Sequence, residues 1–135
     1  MICLDINAVI AAMNLRTAAV RDHLYQALAS RIAVGLPAIV LFELHYGCAK
    51  SDRRDASRAD LAAFLRLGVV PWPFEAEDAA EAGDIRAHLE RTGTPIGPYD
   101  VLIAAQARRR GATLVTANRR EFARVPGLMV EDWAA

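Results

Sequence analysis

Apolar residues along this chain fall into short blocks set apart by polar stretches, and the blocks are of two kinds. Met1 to Leu4 is a brief apolar run, which predicts a buried strand, and Ala8 to Met13 has the composition of a short helix. Between Thr17 and Ser30 the apolar Val20, Leu24, Ala27 and Leu28 recur at helical spacing, predicting an amphipathic helix with Arg21, Asp22 and Gln26 outside. Gly35 and Pro37 read as punctuation, with Pro37 suited to open a helix from about Pro37 to Ala49. A charged helix from about Asp55 to Leu67 follows the polar stretch Lys50 to Arg54, so the two form a helical hairpin.

In the second half, Val69 to Trp72 reads as a short strand, and Pro71 and Pro73 place it at a strand end or a sheet edge because they remove ladder donors. Glu75 to Arg91 is a long helix with Glu75, Glu77 and Asp78 where the helix dipole favours negative charge. The next helix opens at Gly97-Pro98 and closes at Arg108-Arg109-Arg110-Gly111, with cations at its negative end and glycine as the stop signal. Thr113 to Thr116 is a further strand, Arg119 to Phe122 a helical turn, and Leu128 to Val130 a last strand. Strands alternating with helices predict an α/β fold whose central, mostly parallel sheet is covered on both faces.

A length of 135 residues suits one domain spanning 1–135. The chain carries 16 acidic and 16 basic residues, so it lacks the net positive field of a typical nucleic-acid binder, and any such binding rests on local patches. Lys50 is the only lysine; the arginines crowd late, at Arg108, Arg109, Arg110, Arg119, Arg120 and Arg124. Arginine's planar fork suits phosphate. Cys3 and Cys48 form neither a disulfide framework nor a zinc knuckle, and no stretch is long and apolar enough to cross a bilayer. A reducing cytoplasm, away from membranes, is the expected setting.

Four polar residues stand where open α/β sheets gather ligands: Asp5 after the first strand, Glu43 inside the apolar run Ile39 to Leu44, Asp100 just after Pro98, and Asn118 past Thr113 to Val115. Each has a plainer reading. Asp5 or Asn7 can cap a helix, Glu43 can face solvent or an arginine, Asp100 is favoured by a helix N-terminus, and Asn118 suits a turn. Their combination points instead to an acidic pocket for a divalent cation, because a carboxylate among apolar neighbours is tolerated when it is paired or coordinates a metal. His23, His45 and His88 have no metal-ligand spacing.

Leu4-Asp5-Ile6-Asn7, Phe42-Glu43-Leu44-His45-Tyr46-Gly47, the run Ile96 to Ala105 and Leu114 to Asn118 with Glu121-Phe122 together resemble the motifs of PIN-domain ribonucleases, most closely VapC-type toxins of bacterial toxin–antitoxin pairs. The resemblance implies a three-layer α/β/α sandwich with the helical hairpin protruding. It makes Asp5, Glu43 and Asp100 ligands of a magnesium or manganese ion and adds Asn118 to the catalytic set, where many relatives have a fourth acid. Arg119 and Arg120, which follow Asn118 directly, are the expected RNA contacts, with Asn7 and Thr116; Arg108 to Arg110 could also guide the substrate, but a helix of about a dozen residues spans ~18 Å, which sets them on the far side from the metal as helix-end solubilisers. Ile6 departs from the usual threonine or serine. The implied substrate is RNA, often a structured one such as a transfer RNA. The implied partners are a VapB-type antitoxin, whose tail would dock on the hairpin, and a second copy, giving a homodimer and a toxin–antitoxin hetero-oligomer. Two other readings stand beside this: a non-catalytic module that kept the fold, and a doubly wound phosphatase or receiver-type domain, which would lean on a lysine near the phosphate.

Overall fold

Strand β1 (Ile2–Leu4) lies at the centre of a five-stranded sheet in the computed structural model, which describes residues 1–14 and 18–134. It is followed by α1 (Ile6–Met13), α2 (Ala18–Ala29) and β2 (Val34–Pro37), then by α3 (Ala38–Lys50) and α4 (Arg54–Leu65). Beyond them come β3 (Val70–Trp72), α5 (Ala76–Arg91), α6 (Pro98–Arg109), β4 (Thr113–Val115), α7 (Arg119–Phe122) and β5 (Met129–Glu131). The strand order is β3-β2-β1-β4-β5, and every pairing is parallel. Right-handed crossovers therefore set α1 to α4 on one face of the sheet and α5 to α7 on the other, a three-layer sandwich. Leu4, Leu36 and Leu114, from adjacent strands, are fully buried between these layers.

Most element boundaries fall within a residue or two of those read from sequence, although Thr17, the expected start of α2, lies outside the described residues. β3 is an edge strand, as Pro71 requires. Strand β2 is a correction. Gly35 lies inside it and Pro37 ends it: all four residues are buried, the strand lies between β1 and β3, and Pro37 stands at the N-cap of α3, so it does open that helix. Glycine is needed because the indole of Trp72 lies across position 35, where a Cβ would come 1.9 Å from the ring. Lys50, expected in a linker, is the last residue of α3.

The arginines at the end of α6 are also more than solubilisers. Arg108 Nε donates to Glu81 at 2.7 Å, while Arg109 Nε and Arg110 Nη1 both donate to Asp78 Oδ1, at 2.6 and 2.9 Å. Asp78 is fully buried, and its other oxygen accepts the Glu75 amide in a capping box. Burial opposes its ionisation, but the hydrogen bonds from Arg109, the Glu75 amide and Arg110 prevail and hold its carboxyl below the ordinary range. Arg110 also lies 4.7 Å over the Trp72 ring, so α6, α5 and the edge strand are joined at one point.

Gly35→Ala should therefore destabilise the protein by about 1–3 kcal/mol, the usual cost of overpacking a filled core. Urea melts of this variant and of Gly35→Ala combined with Trp72→Leu check the cause, since shrinking the indole should restore part of the loss.

Candidate active site

The carboxyl ends of β1 and β4 lie side by side, and the chain runs from them into α1 and toward α7, which is the switch point of this sheet. Asp5 follows β1 and caps α1. Its Oδ1 accepts the Ile6 amide at 2.8 Å, and its Oδ2 accepts Thr116 Oγ1 at 2.8 Å and Asn7 Nδ2 at 2.9 Å. Only 3% of Asp5 is exposed, and its backbone amide donates to the Val115 carbonyl. The cap reading of Asp5 is therefore borne out.

Asn7 and Thr116 have little left to offer a substrate. Asn7 Oδ1 accepts the Ala117 amide at 2.7 Å while its Nδ2 reaches both Asp5 and Thr116, and Thr116 Oγ1 also accepts the Asn118 amide at 3.0 Å. Instead of facing outward they bind the start of α1 to the end of β4 and fix the Asp5 carboxylate. The hydroxyl that Asp5 receives comes from Thr116, just past the end of β4.

Glu43, on the second turn of α3, and Asp100, in the first turn of α6, are both half-buried and make no hydrogen bond or ion pair among the described residues. Asp100 folds back over Gly97, where a Cβ would approach its Oδ2 to 3.2 Å. Burial first, and then the negative charges of Asp5, Glu121 and Glu43, push the Asp100 carboxyl up to about 6. Burial and the charge of Asp5 likewise raise Glu43.

Glu121 entered the sequence reading only as part of the Glu121-Phe122 motif, with no role of its own. Its Oε1 accepts the Gly97 amide at 3.2 Å, and Asn118 Nδ2 donates to its Oε2. Asn118 thus reaches the cluster by holding Glu121, a carboxylate one turn further along that acts on Asp100. The available signal was one acid, Glu121, inside the basic run Arg119 to Arg124. Arg119 and Arg120 are exposed and free of ion pairs, whereas Arg124 Nη1 donates to the Pro95 carbonyl and fastens α7 to the loop before α6.

The donor set is all oxygen and all acidic, the chemistry that hard divalent cations take. Among the described residues no three Asp, Glu, His or Cys side chains are drawn together closely enough to hold an ion. Beside Glu43, a cleft of about 300 Å³ runs between α1 and the α3–α4 hairpin, lined by Ile6, Ile10, Met13, Leu44 and Leu61.

A model of the PIN domain matches residues 2–128. The chain is 40% identical to the tRNA(fMet)-specific endonuclease VapC of Salmonella typhimurium over 131 residues, 96% of each chain. It is 37% identical to ribonuclease VapC2 of Rickettsia felis, again over 96% of each. Its fold superposes with a TM-score of 0.91 on a chain of the crystal structure of VapBC2 from Rickettsia felis bound to a DNA fragment from their promoter, at 35% identity, covering 98% of this chain and 99% of that one. The corresponding DNA-bound VapBC structure from Salmonella typhimurium gives 0.89 at 35% identity, covering 98% and 97%.

The Asp100 carboxyl has a stability consequence whose sign is fixed. Because its folded-state value lies at about 6 and its ordinary value at 3.8, the folded chain binds this proton more tightly, and stability falls as pH rises through that window. Asp100→Asn removes this fall. In metal-free buffer the melting temperature of the variant should gain on the unsubstituted protein as pH rises from about 4 to 7; a constant difference would show that Asp100 does not carry the strain.

Proposed function

This chain belongs to the PIN-domain family, and we propose that it is a metal-dependent endoribonuclease toxin acting in the cytoplasm and restrained by a cognate antitoxin. One observation carries the reading: Glu43 and Asp100, both half-buried, feel the charge of Asp5 with no donor or cation to relieve them among the described residues, whereas the buried Asp78 is paired with two arginines. A chain that needed only stability would not leave two carboxylates so. The ribonucleases among its relatives support the same activity at high coverage.

Asp5, Glu43 and Asp100 are the residues that would hold a magnesium or manganese ion, with Glu121 beside them and Asn118 orienting Glu121. When bound, such an ion offsets negative charge at the scissile phosphate and acidifies an attacking water. Asp5 is held rigid by the Ile6 amide, Asn7 and Thr116, so it is a fixed anchor. Glu43 and Asp100 keep their oxygens available to the ion and to orientation of the water. Arg119 and Arg120, exposed and unpaired at the start of α7, supply phosphate contacts along the incoming RNA.

A structured RNA such as a transfer RNA is the proposed substrate, following the relative named for tRNA(fMet). A VapB-type antitoxin is the proposed partner, following the VapBC complexes, with a homodimer of this chain as the core of a hetero-oligomer. The apolar cleft between α1 and the hairpin, with Glu43 at its mouth, suits an inserted antitoxin segment. No helix among the described residues is long and apolar enough to cross a membrane. A phosphatase or receiver-type site is disfavoured because Lys50, the only lysine, ends α3 and does not follow a late strand. A non-catalytic module is separated from the main reading by experiment.

Asp5→Asn should abolish metal-dependent cleavage of RNA while leaving the circular dichroism spectrum intact. Glu43→Gln should cut both cleavage and the rise in melting temperature on adding Mn²⁺ at pH 7, with metal-free stability held or increased because a repelled charge is gone. Undiminished cleavage by either variant would remove that residue from the site. For the cations, Arg119→Ala with Arg120→Ala should reduce the slope of log affinity against log salt by about 1.4, or ~0.7 per lost single-strand phosphate contact. An unaltered slope would return both arginines to the solvated surface.

A further inference from the structure

Three large aromatic side chains stand exposed beside the acidic cluster, and the mechanism above uses none of them. Phe42 immediately precedes Glu43 on α3 and is 51% exposed; Tyr99 immediately precedes Asp100 on α6 and is 49% exposed. Their rings meet edge to face, with centroids 5.9 Å apart and planes at 83°. One turn along α3 from Phe42 is Tyr46, 58% exposed, and one turn further is Lys50, whose Nζ lies 5.8 Å from the Tyr46 ring centroid. Phe42, Tyr46 and Lys50 at i, i+4 and i+8 thus form one stripe about 12 Å long on the helix surface. It starts at the carboxylates and ends at the only lysine in the chain.

This stripe is distinct from the apolar cleft. The cleft takes Glu43, Leu44, Gly47, Cys48 and Ser51 from the same helix, whereas Phe42, Tyr46 and Lys50 are not among its lining residues. Exposed rings interleaved with a cation are how proteins hold unpaired nucleotides: bases stack on the aromatic faces, and the backbone phosphate meets the positive charge. Resting on the nuclease reading above, we propose that Phe42, Tyr46 and Tyr99 form a stacking platform for the unpaired bases flanking the cleaved phosphodiester, and that Lys50 receives a phosphate of the same strand one or two nucleotides away. A phosphodiester brought to Asp5, Glu43 and Asp100 must lay its neighbouring nucleotides over the adjoining surface, and on α3 that surface is this stripe. RNA also meets both chemistries of the stripe at once, since a second protein copy would have to bury Lys50 along with the rings.

The arrangement assigns selectivity for single-stranded, base-bearing RNA to Phe42, Tyr46 and Tyr99 as positioning residues. Fluorescence anisotropy of a labelled single-stranded RNA, read in EDTA so that no cleavage intervenes, tests it on the full chain. Phe42→Ala with Tyr46→Ala should weaken binding about tenfold or more, while Phe42→Trp with Tyr46→Trp should retain it. An RNA with abasic positions beside the cleavage site should bind the unsubstituted chain about tenfold more weakly, yet bind the double alanine variant no more weakly than intact RNA does. Lys50→Ala should lower the salt slope by ~0.7 with the abasic penalty unchanged.

The outcomes separate the two readings. If the chain binds RNA with this discrimination but cuts none with Mg²⁺ or Mn²⁺, the platform stands and the nuclease reading falls. If the chain cuts RNA and the alanine variant binds it as tightly as before, the nuclease reading stands and the platform falls. A double alanine variant that keeps its RNA affinity but loses mass by light scattering would assign the stripe to an interface between copies, and absence of RNA binding would overturn both.

Discussion

Repulsion between like charges is the constraint around which this molecule is arranged. In a parallel sheet every strand delivers its chain end to the same edge, so acids that follow β1 and open α6 or lie on α3 are brought toward one place whatever their separation in sequence. The resulting cluster of Asp5, Glu43, Asp100 and Glu121 has to be withstood by its surroundings. Asp5 is secured by three donors and Glu121 by two, and the donors come from the backbone or from neutral side chains. Neutral donors fix a carboxylate without cancelling its charge. Glu43 and Asp100 are left with no such support, and so they remain the two carboxylates whose ionisation is held back.

How much of this was legible in the sequence depends on whether the signal was local. The limits of α6 were plain because Pro98 and Gly111 are read within their own turns, and β3 declared itself an edge through Pro71. β2 was hidden because the reason for Gly35 is the Trp72 ring, thirty-seven positions on, and no pattern within the strand announces that contact. Asp5, Glu43 and Asp100 stood out as candidates because each interrupts an apolar context or marks an element end. Glu121 was named in a motif but given no role, because its neighbours are arginines and its partners, Gly97 and Asn118, become visible only when the 92–97 loop lies against α7. The hydrogen bonds by which Asn7 and Thr116 hold Asp5 were hidden for the same reason: the bond between the two spans 109 positions.

The balance of charge gains a different meaning once the pairs are located. Sixteen acids and sixteen bases cancel in number, but not in place. α5 and α6 pack against each other with the acidic beginning of one beside the basic end of the other, so Asp78 and Glu81 take up Arg108, Arg109 and Arg110. Those three arginines are thereby withheld from the opposite end of α6, where Asp100 stands.

The same helix therefore has a compensated end and an uncompensated one. At its N-terminus the helix dipole offers Asp100 some relief, on the order of 0.3–1 kcal/mol at exposed positions. Burial and three neighbouring carboxylates outweigh it, since the group is still pushed up to about 6. At the C-terminus, the buried Asp78 with its two guanidinium donors and the Arg110–Trp72 contact fix the helix to α5 and β3. Breaking a buried pair of this kind typically costs about 3–5 kcal/mol, several times the dipole relief. The far end of α6 thus holds the helix in register while its near end carries a strained acid, and the strain stays at the carboxylates instead of relaxing into a displaced backbone.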